Sequence, residues 1–229
     1  MGDIVKLSWS GGKDSTAAAL LHLERGNRLI MVNYIPMFTR DIPLLHSDHY
    51  KFLLDAADYF ESRGCVVIFV HGETYVDHVR KITTRGKNKG LPHGFPYAGK
   101  FCAFASDSKI KALNSVTLGG YDYQDVGIAA DEVRRLGQLN KHKRSILAEN
   151  NITEAQAHMI CEKYGLLSPV YERLTRDGCV LCHNGSEKER LRWFAEYPEA
   201  WEILHRLEIE MHQRRPDRPP LRNHKYFTI

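Results

Sequence analysis

Short apolar segments alternate with amphipathic ones along the first third of the chain. Residues 4–9 are largely apolar, as in a buried strand, and residues 15–25 place leucine and alanine on one helical face. The pattern repeats with an apolar segment at 29–34, a helical one at 48–63 and an apolar one at 66–70. Apolar strands that alternate with helices are typical of a parallel sheet covered on both faces. We therefore predict an α/β protein with a Rossmann-like, mostly parallel sheet.

Later elements are shorter and are predicted mainly from their start signals. Capping boxes, in which a hydroxyl and a Glu or Gln three residues later satisfy each other's amides, open helices at Thr153 and Ser186, and Pro198 opens the last helix. The remaining predicted elements are a helix at 107–113, strands at 116–119 and 126–129, and a short strand that begins at 146–147.

Composition narrows the class of protein. The 229 residues are 43% hydrophobic, enough for one sizeable core, and we expect an α/β domain over 1–168 with a cysteine-containing helical extension over 169–229 packed on the same core. No apolar stretch approaches the roughly 20 residues of a membrane helix, and the first residues lack the pattern of a secretion signal. We therefore expect a cytoplasmic protein without a membrane span. Its five cysteines then favour reduced thiols or metal ligands over disulfides.

The most informative segment joins the first predicted strand to the first predicted helix. It combines glycines that let the backbone approach a ligand, hydroxyl groups, and the amides of a helix N-terminus. Its spacing matches neither a Walker loop nor a dinucleotide-binding loop. We predict that it binds phosphate through Ser8, Ser10, Gly11, Gly12, Lys13, Asp14, Ser15 and Thr16. The alternative is a glycine-rich turn before a capped helix, with no ligand.

Four motifs resemble one known family. Ser10-Gly11-Gly12-Lys13-Asp14-Ser15 resembles the pyrophosphate loop of the PP-loop ATP pyrophosphatase superfamily. The segment 126–132, with Arg134 and Arg135 after it, is similar to the strand-to-loop segment of the phosphoadenosine phosphosulfate (PAPS) reductase-like branch. Cys102 with Lys109 downstream, and the C-x-x-C at 179–182, resemble later motifs of that branch. Together the resemblance extends from the first strand to about Glu208.

The resemblance implies an adenine nucleotide alpha hydrolase-like fold, with the nucleotide across the carboxyl edge of the sheet. It implies that Gly127, Glu132 and Arg134 join the loop in binding the nucleotide. Lys13, Asp14 and Arg135 would be the catalytic residues, because positive charge stabilises the reacting phosphates and Asp14 orders the loop or a Mg²⁺. For Glu132 and the two arginines, a solvated helix start with surface salt bridges is the alternative.

The resemblance also brings three cysteines to one site. Cys102, Cys179 and Cys182 would supply three thiolates, which suit a [4Fe–4S] cluster with one iron left open for sulfide or substrate. Zinc, with His183 as a further ligand, is a second interpretation. A redox dithiol is a third interpretation, and a set of plain structural thiols is a fourth.

The position of the cysteines distinguishes two activities within the family. The chain has no cysteine after Cys182, whereas PAPS and APS reductases attack the sulfonucleotide with a cysteine near the C-terminus. We therefore expect ATP-dependent adenylylation with release of pyrophosphate, coupled to sulfur transfer onto an acceptor such as a nucleic acid base. A PAPS or APS reductase, and a non-catalytic nucleotide or iron–sulfur sensor, are the competing hypotheses.

A basic segment suggests what the acceptor is. The net charge is only +4, but no acidic residue occurs between Val79 and Ser106, where Lys and Arg are interspersed with Phe and Tyr. This composition suits a single-stranded nucleic acid or another anionic acceptor, and it equally suits a lid over the nucleotide. A second copy of the chain is a further candidate partner.

Overall fold

The computed structural model describes residues 2–98, 101–117, 119–174, 176–182 and 185–216. These residues belong to two compact units, each built from three stretches of chain. Unit 1 lies within Met1–Tyr34, Asp48–Val70 and Leu113–Asp177, and unit 2 lies within Ile35–Ser47, His71–Ala112 and Gly178–Ile229. This partition differs from the predicted division at residue 168, because two internal stretches of the predicted first domain belong with the C-terminal one.

The secondary structure follows the alternating pattern of the sequence. In the described part of the chain, the strands are β1 (Ile4–Ser8), β2 (Arg28–Tyr34), β3 (Val66–Val70), β4 (Tyr97–Ala98), β5 (Phe101–Cys102), β6 (Tyr123–Val126) and β7 (Lys143–Arg144). The α-helices there are α1 (Lys13–Glu24), α2 (Ser47–Glu61), α3 (Tyr75–Arg80), α4 (Lys111–Ser115), α5 (Val133–Leu136), α6 (Ile146–Glu149), α7 (Glu154–Lys163), α8 (Glu187–Glu196) and α9 (Pro198–Arg214). A π-helical turn covers Ala105–Ile110, and a 3₁₀ turn covers Pro169–Glu172.

Unit 1 contains a parallel five-stranded sheet in the order β3-β2-β1-β6-β7. Its central strand β1 is apolar, and Val5 and Leu7 are fully buried in it. The sheet and the helices that flank it confirm the predicted Rossmann-like α/β class. The chain passes from β1 through β2 to β3 on one side and then to β6 and β7 on the other, so the order reverses between β1 and β6. In open α/β sheets, ligands bind outside the carboxyl ends of the strands at such a reversal.

The helices with clear start signals form as predicted. Both capping boxes are present, at Thr153 for α7 and at Ser186 for α8, and Pro198 occupies the first position of α9. Helix α1 packs against α6 and α7 through alanines that are completely buried. No helix of the described part combines the length and the apolar character that crossing a membrane requires.

Four of the shorter predicted elements are wrong. Of the strand expected at 116–119, the described residues 116, 117 and 119 form no strand, and the next strand is at Tyr123–Val126 rather than 126–129. Residues 146–147 open helix α6, because the Ser145 hydroxyl accepts a hydrogen bond from the Ala148 amide. The basic segment after Val79, which we expected to be a long loop, begins inside a helix, because α3 is capped by Thr74 and ends at Arg80. Two or three apolar residues do not distinguish a strand from a buried helical turn.

Unit 2 has its own apolar core. The core combines side chains from all three of its stretches, including Phe38, Val79 and Trp193. Helix α9 contributes one face to this core, because Leu204, Leu207 and Met211 are buried, and Trp201 packs against the same cluster.

Candidate functional site

The predicted phosphate loop lies at the carboxyl end of β1, immediately before α1. Gly11 has a φ of +77°, a left-handed conformation that favours glycine. A Cβ atom at Gly11 would also lie 2.2 Å from the Cδ2 of Leu53. The backbone at this position therefore favours glycine, and any larger residue would also have to displace the end of the Leu53 side chain.

Side-chain hydroxyls of the loop organise the loop itself. Ser15 Oγ accepts a hydrogen bond from the Ser10 amide at 3.1 Å and donates one to the Gly12 carbonyl at 3.1 Å. Ser10 Oγ accepts from the Gly12 amide at 3.3 Å. At the edges of the loop, Thr16 Oγ1 accepts from Trp9 Nε1, and Ser8 Oγ accepts from Gln124 on β6. Ser8 and Thr16 are therefore engaged at the edges of the loop, whereas Ser10 and Ser15 bond to each other and to the backbone within it.

Gly127 brings the second predicted segment directly against this loop. Ser8 and Val126 are paired residues of neighbouring parallel strands, so the two segments that follow them leave the sheet side by side. A Cβ atom at Gly127 would lie 2.5 Å from both the N and the Cα of Ser15. Such an approach to backbone atoms is possible only for glycine. The loop and the segment after β6 thus meet at the reversal of strand order.

Lys13 lies between two carboxylates. Its Nζ is 3.1 Å from Asp14 Oδ2 and 3.0 Å from Glu154 Oε2. Burial, with the negative charges of Glu154 and Glu132, raises the pKa of Asp14, although the adjacent Lys13 opposes the rise. Burial lowers the pKa of Lys13, but its hydrogen bonds and its two anionic neighbours outweigh burial and raise that pKa overall. Lys13 is therefore a cation that balances the charge of its neighbours.

Asp14, Glu132 and Glu154 each place a carboxylate oxygen within 4.8 Å of the others. Carboxylate oxygens are ligands that Mg²⁺ accepts, usually together with phosphate oxygens and water. Lys13 Nζ contacts two of these three carboxylates, those of Asp14 and Glu154. The three carboxylates therefore fit a Mg²⁺ only if the Lys13 side chain turns away from them toward an anion. Glu154 is absent from the predicted site, although its position in the first turn of α7 was evident from the capping box.

Tyr171 and Asp177 also reach the loop, and sequence analysis missed both. Tyr171 Oη accepts a hydrogen bond from the Lys13 amide at 3.2 Å. Burial, followed by the negative charge of Asp177, raises the pKa of Tyr171 strongly, so its hydroxyl stays protonated and donates to that carboxylate. A Cβ atom at Gly12 would lie 2.3 Å from Asp177 Oδ2. Two protein oxygens therefore occupy positions beside the loop that an anionic ligand would approach.

Arg134 and Arg135, which were predicted to contact the nucleotide phosphates, make no hydrogen bond or ion pair to the loop in the described structure. Arg135 Nη1 donates to Glu132 Oε2 at 2.7 Å, and the Arg135 side chain is 56% exposed. Glu132 also accepts from the Ala129 amide at 3.2 Å. Arg134 is exposed on the short helix α5. The ion pair of Arg135 with Glu132 matches the alternative interpretation of this segment, a solvated helix start with surface salt bridges. The Glu132 carboxylate nevertheless belongs to the carboxylate cluster at the loop.

The predicted cysteine centre falls within unit 2. Cys102 and Cys179 pack against its apolar core, and burial, followed by the nearby Cys182, raises the pKa of Cys102. The three sulfurs do not all lie within 4.8 Å of one another. Tetrahedral zinc, with Zn–S bonds of about 2.3 Å, would hold sulfurs about 3.8 Å apart. Zinc would require these sulfurs to move closer together, and an iron–sulfur cluster, which binds each sulfur to a different iron, stays a prediction. His183 lies outside the described residues.

Part of the basic segment is engaged within unit 2. Arg80 pairs with Glu210 at 2.8 Å, and Lys81 pairs with Glu73 at 2.9 Å. Arg85, Lys87 and Lys89 of this segment are exposed, as are the two paired cations Arg80 and Lys81. Phe95 is buried, and Lys100 and the side chains of Tyr97 and Phe101 lie outside the described part of the chain.

Comparison with known proteins does not assign the chain to a family. A search of protein-family models found none that matches it. A search of curated proteins also found no match. The functional argument therefore depends on the geometry of the loop and its surroundings.

Proposed function

We propose that the chain is a PP-loop enzyme that binds ATP and transfers its adenylyl group to an acceptor oxygen, releasing pyrophosphate. Sulfide would then attack the carbon that bears the adenylylated oxygen, and AMP would leave with that oxygen. A nucleic acid base is the leading candidate for the acceptor. The observation that carries the nucleotide part is the close contact of Gly127 with Ser15. It joins two glycine-dependent segments at the reversal of the sheet order, where nucleotides bind in open α/β folds.

Backbone amides of the loop that now donate hydrogen bonds to protein hydroxyls could donate the same bonds to a phosphate group. The amide of Lys13 donates to a tyrosine hydroxyl, and the amide of Gly12 donates to Ser10 Oγ. A phosphate oxygen accepts such bonds more strongly than a neutral hydroxyl because it is charged. The N-terminal end of α1, a helix of 12 residues, adds favourable electrostatic potential. We therefore expect phosphate to displace Tyr171 Oη from the Lys13 amide.

Lys13 and the carboxylates then have complementary roles. With a polyphosphate present, Lys13 Nζ turns from Asp14 and Glu154 toward the phosphate oxygens, where it stabilises charge during displacement of pyrophosphate. The vacated carboxylates of Asp14, Glu132 and Glu154 are suited to hold Mg²⁺. Bound Mg²⁺ would supply further positive charge for the same displacement.

Binding and turnover test this proposal together. Calorimetry with ATP, PAPS and APS, each with Mg²⁺, should show heat for ATP. Pyrophosphate release should follow when RNA is supplied under anaerobic conditions with sulfide. Sulfite release from PAPS or APS with a thiol donor would instead support the reductase hypothesis, and binding of ATP without any turnover would support the sensor.

One substitution tests the contact that carries the argument. Gly127→Ala should weaken ATP binding at least tenfold, because its Cβ must displace the backbone of Ser15. Gly119→Ala is the matched control, since a Cβ there meets nothing within 4 Å. Equal ATP affinity in both variants, or no heat with any of the three nucleotides, would refute the proposed site.

A further inference from the structure

Three potential metal ligands, none of them a cysteine, converge in unit 2. They are His78 on α3, His93 in the segment before β4, and Asp107 in the π-helical turn. One ligand atom from each lies within 4.8 Å of the others. Two imidazoles with one carboxylate form a ligand set that occurs in zinc and non-haem iron sites.

His78 is the most informative of the three. Its side chain is buried, and its Nδ1 lies 3.2 Å from Glu73 Oε2. Its Nε2 is also buried and has no hydrogen-bond partner among the described residues. A buried polar atom without a partner destabilises the folded chain, so such an atom calls for an explanation. An Nδ1–H that donates to Glu73 leaves the lone pair of Nε2 available, which is the tautomer of a metal-bound histidine.

The surrounding backbone positions these ligands. Helix α3 is capped by Thr74, whose hydroxyl accepts from the Asp77 amide at 3.1 Å. The amide of His93 donates to the Lys81 carbonyl at 2.7 Å, which ties the two histidine-bearing segments together. Ser108, beside Asp107, donates to the Glu73 carbonyl at 2.8 Å. The Phe104 ring lies 5.5 Å from the His78 ring and forms an apolar wall. π-Helical turns are frequent at functional sites.

We propose that His78, His93 and Asp107 bind a divalent transition-metal ion of the zinc class. Bonds of about 2.0–2.1 Å place the ligand atoms of a tetrahedral ion about 3.4 Å apart, so atoms already within 4.8 Å need only small side-chain rotations. Glu73 orients His78 from behind, as carboxylates commonly do for metal-bound imidazoles. The fourth position is open to water or to a ligand. This site is independent of the proposed nucleotide site.

Cobalt provides a test that does not depend on activity. The full chain carrying Cys102→Ser, Cys179→Ser and Cys182→Ser should bind one equivalent of Co²⁺ with visible d–d absorption, and Zn²⁺ should displace it. The wild-type chain should give the same d–d bands, accompanied by a near-ultraviolet cobalt–thiolate band only where its cysteines also bind cobalt. Absence of d–d absorption in the triple-serine protein, with native circular dichroism, would overturn the proposal.

Single substitutions then identify the ligands. Glu73→Gln should weaken Co²⁺ binding about 10–100-fold, the usual effect of losing an outer-shell partner. Asp107→Asn should weaken it more, and it suits the test because this side chain is 36% exposed and tolerates change. His142→Asn is the control, because this histidine is exposed elsewhere on the chain. Unchanged affinity in Asp107→Asn, with native circular dichroism, would refute the assignment.

Discussion

Polar atoms around the loop bond mainly to one another. Ser10, Ser15, Lys13 and Tyr171 form a set of hydrogen bonds in which hydroxyls and amides are each other's partners. Such a set keeps the loop in one conformation before any ligand arrives. A ligand that replaces these bonds with charged ones does not have to order the loop first.

Tyr171 tests this internal pairing. Tyr171→Phe removes the acceptor of the Lys13 amide, and we expect the free energy of unfolding to fall by about 1–3 kcal/mol. Urea denaturation measures the loss. Tyr164→Phe is the control, because its hydroxyl bonds to Glu24 near the surface and should contribute less than about 1 kcal/mol. Equal effects of the two substitutions would contradict the expectation.

Cys161 gives a prediction that depends on pH. Its Sγ donates to the Lys13 carbonyl at 3.1 Å, and burial raises the pKa of the thiol from 9.0 to about 12. Because the thiolate is the reactive form, alkylation at pH 8 should be about 1000-fold slower than in the urea-unfolded chain. The rate should increase tenfold per pH unit up to the folded pKa.

The raised pKa of the Cys161 thiol also makes the free energy of unfolding depend on pH. Below pH 9.0 the thiol is neutral in both states and contributes no pH dependence. Between 9.0 and about 12 the unfolded chain loses the proton first, so the free energy of unfolding falls as pH rises. Iodoacetamide labelling across this range, read by peptide mass spectrometry, checks the shift. Labelling of folded Cys161 at the unfolded rate would contradict it.

Single residues show how far sequence analysis extends. Gly11 and Gly127 were singled out from short motifs, and both occupy positions where the structure favours glycine, whereas their predicted contacts with a nucleotide stay predictions. Tyr171 is 158 positions from its partner Lys13, and no periodicity or spacing connects them. The cluster of His78, His93 and Asp107 was missed for the same reason, because its three residues come from separate segments of the chain.

At the scale of helices and strands, start signals decide what is predictable. Helices α7, α8 and α9 begin where a capping box or a proline indicates, because these signals act within one turn. Strand β6 was misplaced because it contains a buried aspartate. Asp125 Oδ2 is 3.1 Å from His22 Nε2 and accepts from the Ile146 amide at 2.9 Å. Its burial depends on these distant partners, which the local pattern does not contain.

The capping box of α7 supports a prediction at this scale. Thr153→Ala removes the acceptor of the Gln156 amide and should lower the free energy of unfolding by about 1 kcal/mol. Thr84→Ala, at an exposed position outside any helix or strand, should change it by less than about 0.5 kcal/mol. Chemical denaturation of the two variants distinguishes the cap from a general effect of losing threonine.

At the scale of the whole molecule, the core of unit 2 combines side chains from three separated stretches of the chain. Leu204→Ala should cost about 2–5 kcal/mol, because this side chain is only 1% exposed in the middle of α9. Leu191→Ala on α8, where the side chain is 50% exposed, should cost less than about 1 kcal/mol. Thermal unfolding followed by tryptophan fluorescence measures both. Similar costs would show that this core does not govern stability.

The interrupted course of unit 2 restricts how it can be gained or lost in evolution. The chain crosses between the units five times, so no exchange at a single boundary transfers unit 2 intact. A peptide that starts at Gly178 would carry Trp193 and Leu207 without their core partners Phe38 and Val79. It would therefore expose an apolar, aggregation-prone surface to water. A recombination event that changes either of the two internal stretches of unit 2 therefore requires compensating changes in its C-terminal stretch.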